Sequence, residues 1–180
     1  LSDDEIESFA ATLACPLPHQ IRELLRFCSG FEGAAAHPVD FTGRSLLFDY
    51  EEAFPHGIPI GADGFGNFWL VDVTPESVSW GPIYFACHDA PVILYQGPSV
   101  EQFLTELFKA HTPPFKSAID DVRDDRLFDV WTKNPGVMDF EECAASPDPA
   151  LRGFATELGP SFQIIDLRQA QIGMGFSWGR

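Results

Sequence analysis

At 180 residues and 19.9 kDa the chain has room for one core, or one core with an appendage, and is too short for two full domains. Its residues are 45% hydrophobic and 13% aromatic, which supplies the side chains of a packed interior and excludes whole-chain disorder. The 27 Asp and Glu against 11 Lys and Arg give a formal net charge of -16, which disfavours direct binding to nucleic acid or anionic lipid.

Ser2 and Glu5 have capping-box spacing, and Ile6, Phe9, Ala10 and Leu13 repeat at helical spacing until Pro16, which predicts a first helix. Pro18 suits the first position of a second helix with the stripe Ile21, Leu24, Leu25 and Cys28, and Gly30 is expected to end it in the left-handed conformation. Residues 31–43, rich in glycine, alanine and proline, read as an irregular loop before a short apolar run, Leu46, Leu47 and Phe48, where strands are expected to begin. Ile58 to Ile60, Asn67 to Val73, Ile83 to Cys87 and Val92 to Tyr95 are short, branched or aromatic, and divided by turn residues. Connections this tight predict an antiparallel meander, because parallel crossovers need a dozen residues or more.

Ser99 and Gln102 open another helix, with Val100, Phe103, Leu104, Leu107 and Phe108 on one broad face expected to cover the sheet. The break from His111 to Pro114 divides a unit of residues 1–112 from a C-terminal extension, 113–180, expected to pack on it. The extension reads as a helix from Ala118 to Lys133 stopped by Asn134-Pro135-Gly136, a short helix carrying Leu151, Phe154 and Leu158, and two closing strands, Phe162 to Leu167 and Met174 to Trp178. The fold class expected is α+β, a twisted antiparallel sheet flanked by helices with a C-terminal helix-and-strand extension.

Catalytic motifs do not hold up against their local context. Gly61, Gly64 and Gly66 resemble a phosphate loop, but a strand follows them where a helix N-terminus is needed, so a hairpin turn is the better reading. His88 and Asp89 are adjacent at a strand end and point to opposite faces. Ser99, Ser161 and Ser177 sit in no nucleophile elbow. His19, His37, His56, His88 and His111 lack metal-ligand spacing, as do Cys15, Cys28, Cys87 and Cys143, and no cofactor is expected. A spatial cluster of Asp63, Asp72, His88 and Asp89 would be needed for a metal site or a small hydrolase. The cysteines read as free thiols. No apolar run approaches the length of a membrane span and the N-terminus is acidic, so a cytoplasmic protein is expected.

The helix from Ala118 to Lys133 carries the strongest binding signal. At about 100° per residue, Ile119, Val122 and Val130 share one face and Asp120, Asp121, Asp124 and Asp125 the other, with Phe128 near the middle of the acidic face. An aromatic ringed by carboxylates suits a hot spot for a basic protein partner; the alternative is a solvated face with Phe128 covered by the C-terminal strands. Asp49, Glu51 and Glu52 complete the predicted partner-binding set.

Leu17-Pro18, Gly30, Ile58-Pro59-Ile60, Gly64-Phe65-Gly66-Asn67, Asp72, Pro82-Ile83-Tyr84-Phe85, His88-Asp89 and the helix from Ser99 to Leu104 follow one another in an order that resembles the SUKH superfamily. The resemblance covers roughly residues 1 to 110. Ser29-Gly30-Phe31 stands where the family has N-G-G, and the tail from Thr112 to Arg180 has no counterpart. That superfamily includes a yeast cell-wall synthesis regulator and many bacterial immunity proteins. The resemblance implies a non-catalytic, protein-binding α+β domain, foremost an immunity protein that neutralises a cognate toxin domain with a basic surface, often a nuclease. A regulatory adaptor for a cellular protein, or a small enzyme, are the other readings.

Overall fold

In the computed structural model, residues 1–32, 38–47, 50 and 53–177 are described. Helix α1 (Asp3–Ala10) begins with the expected capping box between Ser2 and Glu5, and α2 (His19–Phe27) follows with Pro18 at its N-cap. Seven strands form one antiparallel sheet: β1 (Gly30–Phe31), β2 (Val39–Asp40), β3 (Ile58–Ala62), β4 (Phe68–Val71), β5 (Ile83–Cys87), β6 (Val92–Gly97) and, from the far end of the chain, β9 (Gly175–Ser177). Helix α3 (Val100–Ala110) follows β6. Then α4 (Ala118–Asp120), a π-helical stretch (Asp121–Arg126) and α5 (Leu127–Lys133) run on without a break. Strand β7 (Val137–Met138), α6 (Phe140–Ala144), α7 (Pro149–Leu158) and β8 (Ile164–Ile165) complete the order, with β7 and β8 paired in a sheet of their own.

Alternation along the strands divides the core in two. Ile58, Ile60, Trp69, Val71, Ile83, Phe85, Val92 and Leu94 face a layer formed by α1, α2, α3 and the helix at 118–133. Leu70, Tyr84, Ala86 and Ile93 face the other way, against Phe54, with Leu167 and Phe176 from the C-terminal part packed beside them. The meander is as expected because both strand faces are apolar. A sheet buried on both sides reads as continuous hydrophobic runs, as β5 does with all five residues buried.

Four local expectations are corrected. Gly30 does not end α2; the helix stops at Phe27, and Gly30 enters β1, where a Cβ would lie 2.2 Å from the Val39 carbonyl oxygen. Close strand approach, and not left-handed backbone, requires that glycine. Residues 31–43, read as irregular, contain β2, which pairs with β1 and β3. Leu46 and Leu47 lie in a turn region instead of opening a strand, and Leu47 is 87% exposed; Phe48 is outside the described residues. Cys28 is half-buried past the end of α2, its thiol donating to the Gly30 carbonyl at 2.8 Å, so it is not part of a helical stripe.

Candidate functional site

The helix at 118–133 is held at both ends. Its start is tied to a buried polar network: the Ala118 amide donates to Glu106 Oε2 at 2.9 Å, and Gln96 donates to the Ala118 carbonyl at 3.0 Å while accepting from the Trp69 indole at 3.2 Å. Burial pushes the Glu106 carboxyl up, but the Ala118 amide and Lys109 ammonium more than reverse this and hold it below the ordinary glutamate value. Its end turns at Asn134, which has φ 46 and exchanges two hydrogen bonds with Ser177 of β9, of 2.8 and 3.2 Å. Hydrogen bonds thus fix the helix at both ends.

Ile119, Val122, Leu127 and Val130 are buried in the core, and the five-residue step from Val122 to Leu127 coincides with the π-helical stretch, whose turns are wider than α-helical ones. On the outer side Asp121, Asp124 and Asp125 are exposed and Asp120 is half-buried. Phe128 is 58% exposed, so the C-terminal strands do not cover it, and its ring lies 6.3 Å from that of Trp131. Sequence reasoning missed two members of this surface. Trp131, three residues after Phe128, was legible from helical spacing. Arg123 bridges Asp120 at 3.1 Å and Asp124 at 2.9 Å, so Asp121 and Asp125 carry the unoffset charge of this face among the described residues. Asp49, Glu51 and Glu52 lie outside the described residues.

A groove of about 640 Å³ lies between the second face of the main sheet and the C-terminal part. Pro82 and Tyr84 form its floor, Leu151 and Phe154 of α7 one wall, and residues 164–168 the other. At its rim Arg168 is shared between Asp166, at 2.6 Å, and Asp148, and it holds the Asp166 carboxyl down to about 2. Burial pushes the Tyr84 hydroxyl up to about 12, with the carboxylate of Asp72 and the neighbouring Tyr95 adding to the shift. Asp72 itself is pushed above the ordinary aspartate value by burial.

The residues with a catalytic look are kept apart. Asp63 sits in the β3–β4 turn, where its carboxylate accepts from Phe65 N at 2.8 Å, Asn67 N at 3.2 Å and Asn67 Nδ2 at 2.5 Å. Asn67 in turn accepts from the His88 amide at 2.8 Å, so the motif residues lock one hairpin to the next. Gly64 and Gly66 have φ of 78 and 90, the turn role expected of them. His88 and Asp89 are exposed, 3.9 Å apart. Asp72 follows the other end of β4, about 16 Å from Asn67 at strand rise. No group of three or more metal-ligating side chains occurs among the described residues. Cys15, Cys87 and Cys143 are buried, and burial raises each thiol above its ordinary value. No helix among the described residues is long and apolar enough to cross a membrane.

No curated protein and no solved structure matches the chain. The SMI1 / KNR4 family (SUKH-1) matches residues 1–106, which takes in α1, α2, the six-stranded meander and most of α3. The chain therefore belongs to the SMI1 / KNR4 family (SUKH-1).

Proposed function

We propose that this chain is an immunity-type member of its family, a non-catalytic protein that binds and neutralises a toxin domain with a basic surface. Family membership is compatible with an immunity or a regulatory role. The observation that favours binding through the helix at 118–133 is the exposed Phe128–Trp131 pair beside Asp121 and Asp125. An aromatic anchor on a rigid helix, flanked by carboxylates, meets a basic cleft with both apolar area and complementary charge. Asp120 and Asp124, paired with Arg123, set the geometry of that face, and Asp49, Glu51 and Glu52 are proposed as further partner-binding residues. Residues 113–180 are proposed as an extension on the 1–112 unit that sets partner choice. A cytoplasmic location fits neutralisation inside the producing cell.

The test uses the product of the neighbouring gene as the toxin. Asp121→Lys with Asp125→Lys, and separately Phe128→Ala, are measured for binding by calorimetry and for folding by thermal melting. Phe128→Ala is expected to weaken binding by at least about 2 kcal/mol, and the double reversal to weaken it strongly at low salt, with melting unchanged. Wild-type affinity in both variants sinks this assignment of the surface.

A further inference from the structure

The groove between the main sheet and the C-terminal part has a feature that the acidic helix lacks. Five consecutive residues, 164–168, line it, and two of them, Ile164 and Ile165, form β8. Successive strand residues point to opposite faces, so a groove touched by both runs along the strand's edge and not over a face. Strand β8 pairs with β7 through Ile164↔Met138 and Ile165↔Val137, no residue of β7 lines the groove, and among the described residues no strand pairs with the other edge of β8. The groove therefore opens on an unpaired strand edge. Its volume falls within the range of about 300–1,000 Å³ usual for binding clefts.

The surroundings specify the occupant. Tyr84, Leu151 and Phe154 supply an apolar floor and wall, and Phe154 is 52% exposed. Asp148 and Asp166 at the rim share the single guanidinium of Arg168, leaving one negative charge in excess. An unpaired edge selects an extended main chain, the apolar lining selects a large apolar side chain, and the carboxylates select cationic neighbours.

We infer that this groove is a second docking site that takes an extended polypeptide segment, in which large apolar side chains alternate with Lys or Arg, as an added strand on β8. The inference rests on the protein-binding reading but not on the helix at 118–133 or on a toxin as partner.

The test is titration of the full chain, followed by amide NMR, with a capped Lys-Phe-Lys-Phe-Lys peptide. Three control peptides accompany it: Lys-Ser-Lys-Ser-Lys, Glu-Phe-Glu-Phe-Glu, and the first peptide N-methylated at alternate residues. Shifts at Tyr84, Phe154, Ile164 and Ile165 are expected with the first peptide, and each control is expected to bind at least about tenfold more weakly. Phe154→Ser, at a half-exposed position, should weaken the first peptide without changing the melting temperature. Ala150→Trp, which fills the groove from an exposed wall position, should do the same. No shifts at the groove, or equal affinity for the methylated or glutamate peptide, overturns the inference. Because no toxin is used, that failure leaves the proposal for the acidic helix standing, and failure of the toxin test leaves this one.

Discussion

At the residue scale, the acidic residues Asp63 and Asp72 at the two ends of β4 differ in kind. Asp63 is buried, yet three donors converge on it, so its charge is met by hydrogen bonds and it fastens the β3–β4 turn. Burial is the cause of the upward shift of Asp72, and among the described residues no cation or donor offsets it. A carboxyl whose folded-state value is raised favours folding when protonated, so its contribution is present below the unfolded value and is lost as pH rises through the folded value. Asp72→Asn is therefore expected to stabilise the protein at neutral pH, by an amount ordinary for one favourable substitution, about 0.5–2 kcal/mol. The gain should shrink as pH falls through the carboxylate range. Urea unfolding of both forms at several pH values checks this, and equal stability at neutral pH contradicts it.

At the element scale, the helix at 118–133 carries an extra residue in its π-helical stretch. Taken as a plain α-helix, the buried positions Ile119, Val122, Leu127 and Val130 would spread over about 140°. Removing one residue between Val122 and Leu127 would narrow the stripe to about 80°. A π-helical stretch accommodates one residue more than an α-helix would between fixed ends. Here the fixed ends are the Ala118 contact with Glu106 and the Asn134 contact with Ser177. Deletion of Asp125, which is exposed, is expected to leave a cooperatively folded protein melting no more than about 4 °C lower. It should also move Phe128 relative to Asp121 and so weaken partner binding. Loss of cooperative melting would mean that the wide turns are needed to reach both anchors.

At the scale of the whole molecule, the net charge of -16 acts on encounter more than on the final contact. Evenly spread, it places about one or two net negative charges in a binding face of ~800 Å². The helix at 118–133 carries five carboxylates and three cations, a local net charge of only -2. Long-range attraction therefore comes from the whole surface, and the local face supplies orientation. Raising ionic strength from about 0.01 to about 0.15 M shortens screening from ~30 to ~8 Å. That change is expected to slow association with a basic partner by about tenfold or more, with little change in dissociation. Stopped-flow mixing measures both rates, and a salt-independent association rate contradicts the steering role.

The sequence by itself determined the meander, the opening helices, the capped helix after the meander and the end of the helix at Asn134. Those features depend on local apolar patterning, turn glycines and capping residues within a few positions of each other. It did not reveal β1, β2, β7 or α6, whose two to five residues are too short for a period to register. Of the acidic helix, the carboxylates and Phe128 were legible, while the offset by Arg123 required knowing which rotamers meet. Only the tertiary structure placed Asp72 away from Asp63 and His88 and set β8 beside Tyr84. Each of those depends on contacts between residues far apart in the chain, and one-dimensional spacing carries no information about which distant segments meet.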